Sequence, residues 1–328
     1  MTRLVSASAP GKLMISGEYA VLEGAVAVVA SVDVRAYARW SARPVGGSPP
    51  AIGGSPQSPQ RYPEAVLTRR LAEEAVGAVQ AELSIDATDL RKSGRKLGLG
   101  SSAAASAAAA GAVLASQGKD LNDPEVQRRA FELAWAGHKA IAPEGSGADV
   151  AAASLGGFVR FRLENGQVAE AQRMPWPAHV STRVVWTGKE ARTSEFVRAV
   201  RAYEARDASG YAVIRDSLHQ QAARFADAIQ GADGVEIVAA AGAYGQNMGQ
   251  LGNAAGVSIM THELQQIATL ATHHGGSAKP SGAGGGDVAI AFFTNETDAL
   301  AFDAACRSEA LDLLNLGLGA PGVRPETP

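Results

Sequence analysis

The sequence has little of what marks several large classes of protein. It contains one cysteine, Cys306, in 328 residues, which excludes an intramolecular disulfide framework and a thiolate zinc cluster. Charged residues make up only 19% of the chain, and the formal net charge is -3. A chain with this charge does not bind nucleic acid through bulk positive charge.

Long apolar runs are also lacking. No run approaches the roughly 20 residues that a membrane-spanning helix needs, and the first seven residues are too polar for a secretory signal peptide. We therefore expect a cytoplasmic protein that binds neither a membrane nor a nucleic acid. Hydrophobic residues nevertheless make up 46% of the sequence, which excludes a disordered chain.

The length and the element pattern predict an α+β protein of about two domains. Domains average roughly 150 residues, and Pro175 and Pro177 interrupt the pattern near the middle. We predict one domain over residues 1–176 and another over 177–328, in a monomer or a homodimer. Strands and helices are mixed without strict βαβ alternation, which favours α+β over a doubly wound sheet.

Four individual elements are predicted from local patterns. They are a strand or hairpin at 26–40, a helix from Pro63 whose apolar face includes Val79 and Leu83, a helix capped by Asp123, and a closing helix at 297–315.

Glycine is abundant, and many of the 37 glycines lie in clusters beside Ser, Lys or Asp. Residues 98–102 read Gly-Leu-Gly-Ser-Ser and precede an alanine-rich stretch that favours a helix. A glycine loop that opens a helix presents free N–H groups and the positive end of the dipole to an anion. The loop lacks the Gly-Lys-Ser/Thr ending of a Walker motif. It predicts either phosphate binding or a small-residue helix packed closely against a sheet.

Three further segments carry chemistry-bearing residues. Lys12 follows an apolar run and a Pro-Gly pair, so it is either a solvated charge at a strand edge or a cation in a site. Asp149 follows Gly145-Ser146-Gly147-Ala148 and is either a helix N-cap or a general base. The glycine-rich segment 275–287 leads into an apolar strand, which favours a ligand loop with an anion nest over a linker.

In this order, the segments resemble the three motifs of the GHMP kinase superfamily. The motifs are Pro-Gly-Lys followed by Gly-Glu-Tyr-Ala-Val at 10–21, Gly-Leu-Gly-Ser-Ser-Ala-Ala at 98–104 and Lys-Pro-Ser-Gly-Ala-Gly-Gly-Gly-Asp at 279–287. The resemblance spans about residues 5–293. It implies an ATP-dependent phosphotransferase of two α+β halves, the first similar to domain 2 of ribosomal protein S5 and the second ferredoxin-like.

Within the superfamily, details resemble the phosphomevalonate kinase branch. They are Gly-Glu-Tyr at 17–19, Ala-Gly-His-Lys at 136–139, Gly-Ser-Gly-Ala-Asp at 145–149 and the segment 186–194, in which Glu190 and Arg192 depart from that branch's pattern. The resemblance implies phosphomevalonate as the acceptor and diphosphomevalonate as the product. Mevalonate or another small alcohol is the alternative acceptor, and a catalytically inactive ATP-binding protein is the second alternative.

The resemblance also implies roles for individual residues. ATP is bound by Gly98, Leu99, Gly100, Ser101, Ser102 and Ala103, with Ser102 as a ligand of Mg²⁺. Lys12 and Asp149 are catalytic: Asp149 accepts or orients the acceptor's proton, and Lys12 offsets charge in the transition state.

The acceptor is expected to contact a wider set of residues from several segments. These are Lys12, Glu18, Tyr19, Ser146, Gly147, Asp149, Arg192, Thr193, Gly282, Ala283 and Gly284. Arg192 is our first candidate for binding the acceptor's phosphate, because a guanidinium group binds phosphate with two hydrogen bonds.

Overall fold

The computed structural model describes residues 4–41, 62–191 and 193–326. These residues form a mixed α+β fold, as predicted. The strands are β1 (Ala7–Ser16), β2 (Ala27–Ser41), β3 (Glu82–Asp86), β4 (Arg91–Lys92), β5 (Arg95–Lys96), β6 (Phe158–Glu164), β7 (Gln167–Met174), β8 (Ser181–Trp186), β9 (Ser277–Ser281), β10 (Val288–Phe293), β11 (Asp312–Leu314) and β12 (Arg324–Pro325). The helices are α1 (Pro63–Val76), α2 (Ser101–Ser116), α3 (Pro124–Ile141), α4 (Ala148–Leu155), α5 (Thr193–Arg206), α6 (Ala208–Gln230), α7 (Gly234–Ala255), α8 (His262–His273) and α9 (Glu296–Ser308).

The chain divides into two compact units. Unit 1 comprises Met1–Leu13, Ala30–Val159 and Gly317–Pro328, and unit 2 comprises Met14–Val29 and Arg160–Leu316. The bounds between the two units differ from the predicted division between residues 176 and 177. Three of them fall inside strands, namely β1, β2 and β6. The chain therefore contributes more than one segment to each unit.

Two larger sheets and one short hairpin contain the strands. The first sheet has the order β12–β1–β2–β6–β7, with β3 paired to β2. The second is antiparallel, in the order β11–β8–β10–β9. Strands β4 and β5 form the hairpin. The first part of β2, residues 27–32, is buried at every position, as is typical of a strand that is covered on both faces.

Strand β10 lies at the centre of unit 2, and its residues are buried at all six positions. Ala289, Ala291 and Phe293 belong to one hydrophobic cluster with residues of α8 and α9. On the opposite face, the Phe292 ring lies 5.4 Å from the ring of Phe225 in α6, because neighbouring side chains alternate between the two faces of a strand. The prediction of a buried strand here is confirmed.

Two predicted helix ends are wrong. Helix α1 ends at Val76, where Gly77 with a φ of 111° follows, so Val79 lies beyond the helix and Leu83 belongs to β3. The closing helix ends at Ser308 rather than at 315, and β11 follows it. In both places a residue with positive φ, Gly77 or Ala310, interrupts the helical backbone.

Predictions based on local signals fare better. The Asp123 carboxylate accepts a hydrogen bond from the Glu125 amide and caps α3 as predicted, and this helix ends at Ile141. Strand β2 is continuous over 15 residues, so the strand alternative is correct and the hairpin alternative is wrong. Among the helices described here, none has both the length and the apolar character needed to cross a membrane.

Candidate active site

Lys12 lies inside strand β1 rather than after a strand, and both its backbone and its side chain reach the central glycine loop. The Lys12 amide donates to the Leu99 carbonyl oxygen at 2.9 Å, and its Nζ donates to the Gly98 carbonyl oxygen at 3.2 Å. The ammonium group of this half-buried lysine is therefore held by the loop, and its role as a cation in a site stays a prediction. The structure brings together Lys12 and the loop that the sequence predicts to bind phosphate.

The loop needs glycine for two separate reasons. Gly98 and Gly100 have φ values of 76° and 74°, in the left-handed region that other residues adopt only at a cost. A Cβ atom at Gly100 would also lie 2.7 Å from Lys12 Cγ, which is well inside van der Waals contact. The glycine thus makes room for the aliphatic part of the lysine.

The N-terminus of helix α2 follows this loop. Gly100 is its N-cap, and no side chain caps the helix. The N–H groups of a first turn have no acceptor within their own helix, and the helix dipole makes this end electropositive. Ser101 and Ser102 are half-buried here.

The rest of α2 is surrounded by protein. Every residue from Ala103 to Ser116 is buried, and the helix contacts α1, α3 and α4. A Cβ atom at Gly111 would lie 2.4 Å from a methyl carbon of Val323. The two interpretations of this segment are therefore compatible, because one helix is both closely packed along its length and uncapped at its start.

Asp149 lies in the first turn of α4, and the N-cap of that helix is Gly147 with a φ of 81°. The N-cap interpretation of Asp149 is thus wrong. Its Oδ1 atom accepts a hydrogen bond from the Val150 amide at 2.9 Å, and the residue is half-buried. A carboxylate in this position is favoured by the positive end of the helix dipole. Helix α4 packs against α2.

The end of α3 supports the loop before Asp149. A Cβ atom at Gly147 would lie 2.3 Å from Trp135 Cδ1, so the indole packs directly on the glycine backbone. Lys139 Nζ donates to the Gly145 carbonyl oxygen at 3.4 Å, and Ser146 Oγ accepts from the Ala148 amide at 3.3 Å. Trp135 and Lys139, the last residue of the Ala-Gly-His-Lys segment, therefore support this loop.

A second group of predicted residues lies in unit 2. The Glu18 side chain is 1% exposed and forms an ion pair with the fully buried Lys279. The Gly282 amide donates to Glu18 Oε1 at 3.4 Å, and the Tyr19 hydroxyl donates to the Ala283 carbonyl oxygen at 2.6 Å. The structure thus brings Glu18, Tyr19, Gly282 and Ala283 together, as expected of residues with a shared role.

Sequence reasoning missed Lys279 and Tyr244 in this group. Lys279 lies in β9, its Nζ also donates to the Pro280 carbonyl oxygen at 2.8 Å, and it lies 5.6 Å from the centre of the Tyr244 ring. The Tyr244 hydroxyl donates to the Glu18 carbonyl oxygen at 2.7 Å. Burial lowers the pKa of Lys279, and Glu18 opposes that change. Burial, together with the charge of Glu18, raises the pKa of both Tyr19 and Tyr244.

Hydrogen bonds also hold the end of the unit 2 glycine loop. Asp287 Oδ1 accepts from the Ala191 amide at 3.0 Å, the Asp287 amide donates to the Lys189 carbonyl oxygen at 2.8 Å, and Thr187 Oγ1 donates to the Asp287 carbonyl oxygen at 2.9 Å. A loop held in this way is not a flexible linker.

The remaining predicted acceptor contacts are Arg192, Thr193 and Gly284. Thr193 is exposed at the start of α5, and Arg192 lies outside the described residues. Lys189, which precedes these two residues in the sequence, forms an ion pair with Glu263. Gly284 is buried against Ile259, whose carbonyl oxygen would lie 2.5 Å from a Cβ atom at that position.

Two family models match the chain. One describes the GHMP kinases N terminal domain and matches residues 67–157, and the other describes the GHMP kinases C terminal region and matches residues 233–310. The chain belongs to the GHMP kinase family, whose members are ATP-dependent kinases. The predicted two-part GHMP kinase fold is confirmed.

The most informative similarities are to enzymes that act on related acceptors. A phosphomevalonate kinase from Streptomyces sp. (strain CL190) is 29% identical over 90% of this chain and 91% of its own length. A mevalonate kinase from Pyrococcus abyssi is 29% identical over 61% of this chain and 62% of its own length. The structure of Streptococcus pneumoniae phosphomevalonate kinase in complex with phosphomevalonate and AMPPNP matches with a TM-score of 0.79 at 19% identity, over 96% of this chain and 99% of that one.

Proposed function

We propose that the chain transfers the γ-phosphoryl group of ATP to phosphomevalonate and forms diphosphomevalonate and ADP. One observation carries the phosphotransferase part of this proposal: the Lys12 ammonium group lies on the glycine loop that opens an uncapped helix. The acceptor is supported by the similarity to the Streptomyces phosphomevalonate kinase, which extends over most of both chains.

The start of α2 has the features that a triphosphate requires. The N–H groups of Ser101, Ser102 and Ala103 lack intrahelical acceptors, and the glycines allow close approach of phosphate oxygens. We assign these residues, with Gly98, Leu99 and Gly100, to the β- and γ-phosphates. Ser102 would hold Mg²⁺, which when bound supplies neutralising charge to the phosphate oxygens.

Lys12 would stabilise the transferring group. Its Nζ lies 3.2 Å from the Gly98 carbonyl oxygen, within reach of the space in front of the helix N-terminus. During transfer an acceptor oxygen bonds to the γ-phosphorus while the bond from that phosphorus to the β–γ bridging oxygen breaks, and ADP leaves. A fixed cation beside this reaction offsets the negative charge on the phosphoryl oxygens.

Asp149 would orient the acceptor or accept its proton. A phosphate monoester has a second pKa of about 6, so phosphomevalonate attacks largely as a dianion at neutral pH and has little need of a base. An alcohol acceptor keeps its proton until attack, so a base contributes more. Glu18, Tyr19, Ser146, Gly147, Arg192, Thr193, Gly282, Ala283 and Gly284 stay predictions as acceptor contacts.

Release of ADP in the presence of Mg²⁺ and ATP tests this function. We expect the highest kcat/KM with phosphomevalonate in a panel that also contains mevalonate, homoserine and galactose. A preference for mevalonate would favour the second candidate function, mevalonate kinase, to which the match over about 60% of the chain points. ATP binding without turnover of any acceptor would overturn the kinase proposal in favour of an inactive ATP-binding protein.

A further inference from the structure

The buried ion pair between Glu18 and Lys279 connects two segments that are 261 residues apart in the sequence. Glu18 is the residue after the glycine that follows β1, and Lys279 is the middle residue of β9. Their side chains are 1% and 0% exposed. Both residues lie in unit 2, so the pair is a feature of the interior of one compact unit.

Stability alone is a poor explanation for such a pair. Removing two charges from water carries a large desolvation penalty, and well-packed apolar residues in the same place are often as stabilising or more so. The polar groups here are also not fully satisfied. Within the part of the chain that the structure describes, Glu18 Oε2 and Ser281 Oγ are buried without a hydrogen-bond partner. Buried polar groups that are retained at a cost to stability call for a functional explanation.

The pair holds the start of the glycine loop that joins β9 to β10. Lys279 bonds to Glu18, and Glu18 Oε1 in turn accepts from the Gly282 amide at 3.4 Å. The neighbouring Tyr19 hydroxyl donates to the Ala283 carbonyl oxygen at 2.6 Å. Gly282 has a φ of 102° and no atom near its missing Cβ position, so local packing does not fix its conformation. The hydrogen bond that the Glu18 carboxylate accepts and the one that the Tyr19 hydroxyl donates supply the constraint.

We propose that Lys279 is a positioning residue, which acts through Glu18 to hold the Gly282–Ala283 backbone in the conformation needed for substrate binding. The ammonium group is completely buried and bonds to Glu18 and to the Pro280 carbonyl oxygen, so it acts through Glu18 rather than on a substrate. This inference rests on the proposed function, because that function requires the loop to contact the acceptor.

Lysine suits this role because it supplies both a charge and several donors. One ammonium group bonds to a carboxylate and to a backbone carbonyl oxygen at the same time, and the Tyr244 ring 5.6 Å away adds a cation–π contact. The Tyr244 hydroxyl also bonds to the backbone of Glu18. Tyr244 therefore holds the backbone of Glu18 and Lys279 holds its carboxylate, and the carboxylate holds the loop.

The test compares four variants with the wild type, of which Tyr19→Phe is the mildest. Lys279→Met leaves a buried carboxylate without its cation, and we expect it to be less stable. Glu18→Gln combined with Lys279→Met makes both positions neutral while keeping their approximate shape, and we expect it to recover much of the lost stability. The control, Arg183→Met with Asp303→Asn, removes another ion pair of unit 2, with side chains 19% and 11% exposed, that does not contact the loop.

Amide hydrogen exchange of the ligand-free proteins is the first measurement, and steady-state kinetics is the second. In the Glu18→Gln/Lys279→Met protein we expect amides of residues 282–285 to exchange about tenfold faster and kcat/KM for the acceptor to fall about 10²-fold, mostly through KM. The control should lose stability without either change. Tyr19→Phe, which removes one hydroxyl, should give a smaller increase in loop exchange and checks the result if the double variant does not fold.

The proposal is overturned if the double variant folds with unchanged loop exchange, or if exchange rises while kcat/KM stays at the wild-type value. If the double variant does not fold, unchanged loop exchange in Tyr19→Phe overturns it. Failure of the proposed function has a different signature. In that case the wild type phosphorylates no acceptor in the panel, and hydrogen exchange still decides whether Lys279 and Glu18 hold the loop.

Discussion

The glycine loop at 98–100 opens a helix, whereas the glycine loop at 282–286 joins the two strands of a hairpin. In the first loop the closest neighbour is the side chain of Lys12, which packs against Gly100. In the second, the closest neighbours come from other segments of unit 2: the Phe196 ring would lie 2.1 Å from a Cβ atom at Gly285, and the Ile259 carbonyl oxygen 2.5 Å from a Cβ atom at Gly284. The residue that packs against the first loop is therefore a residue we propose to be catalytic, whereas the residues that pack against the second loop have no proposed role in the reaction.

This difference separates the effects of mutation in the two regions. Lys12 packs against Gly100 and is also a residue of the proposed phosphate site. A substitution of either residue therefore alters that site directly. The unit 2 loop depends on hydrogen bonds of Glu18 at its start and of Asp287 at its end, and Lys279 is bonded to Glu18. Glycine content alone does not distinguish the two loops.

The largest effect should come from Lys12→Met. Loss of a fixed charge that stabilises a transition state typically costs about 10²–10³ in kcat, and we expect a loss of that size in ADP release with phosphomevalonate. Lys119→Met is the matched control, since Lys119 is exposed just after the other end of α2 and should retain activity. A kcat for Lys12→Met within tenfold of the wild type would contradict the assigned role.

Asp149→Asn should have a smaller effect than Lys12→Met when the acceptor is phosphomevalonate. The acceptor's own ionisation, with a second pKa of about 6, removes most of the need for a base above that pH. Parallel kcat measurements on the two variants across pH 6–8 check this ordering. Equal losses would mean that Asp149 does more than accept a proton, for example by fixing the position of the acceptor.

Gly100→Ala and Gly94→Ala separate backbone strain from loss of the lysine contact. Both glycines have positive φ, 74° and 79°, which costs another residue about 1–2 kcal/mol. Among the residues that the structure describes, a Cβ atom at Gly94 would meet nothing within 4 Å, whereas one at Gly100 would meet Lys12. We expect Gly100→Ala to lose about 1–3 kcal/mol more in urea unfolding and to bind ATP more weakly. Equal stability and equal ATP affinity in the two variants would show that the contact with Lys12 has no role.

The smallest effect concerns the ion pair of Lys189 with Glu263 beside the unit 2 loop. The pKa of Glu263 is lowered from 4.5 to about 2, chiefly by the hydrogen bond from Lys189, with further hydrogen bonds from its own backbone amide and from Thr261. A lowered pKa in the folded state contributes stability above pH 4.5 that is lost as the pH falls toward 2. The difference in urea midpoint between wild type and Lys189→Ala should therefore be small, present at pH 6, and absent near pH 2. Because Lys189 is largely exposed, added salt should reduce the difference. A difference in urea midpoint that is the same at low pH as at pH 6 would rule out the ion pair with Glu263 as its cause.

The elements with local signals could be predicted from the sequence. The Asp123 cap, the alanine-rich helix α2 and its glycine loop follow from side-chain capping and helix propensity, which depend on neighbouring residues only. The position of Lys12 could not be predicted, because Pro10-Gly11 suggests a bend. Strand β1 instead continues through this pair. The missing side chain of Gly11 leaves room for Leu90, which would lie 2.5 Å from a Cβ atom there.

The features that could not be predicted from the sequence depend on contacts between distant segments. Lys279 appears in the sequence as one more polar residue before a glycine loop, and nothing local to it indicates Glu18 as its partner. The helix end at Val76 was missed because Leu83 continues the spacing of four while belonging to β3. Periodicity reports which residues are apolar, but it does not report where a residue with positive φ ends the helix.

A crystal structure with a non-hydrolysable ATP analogue and Mg²⁺ tests most directly whether the start of α2 binds the triphosphate. We predict that oxygens of the β- and γ-phosphates accept hydrogen bonds of about 2.7–3.2 Å from the amides of residues 101–103. We also predict that Lys12 Nζ moves from the Gly98 carbonyl oxygen to the γ-phosphate. A triphosphate bound elsewhere, with Lys12 still bonded to Gly98, would contradict the proposed site.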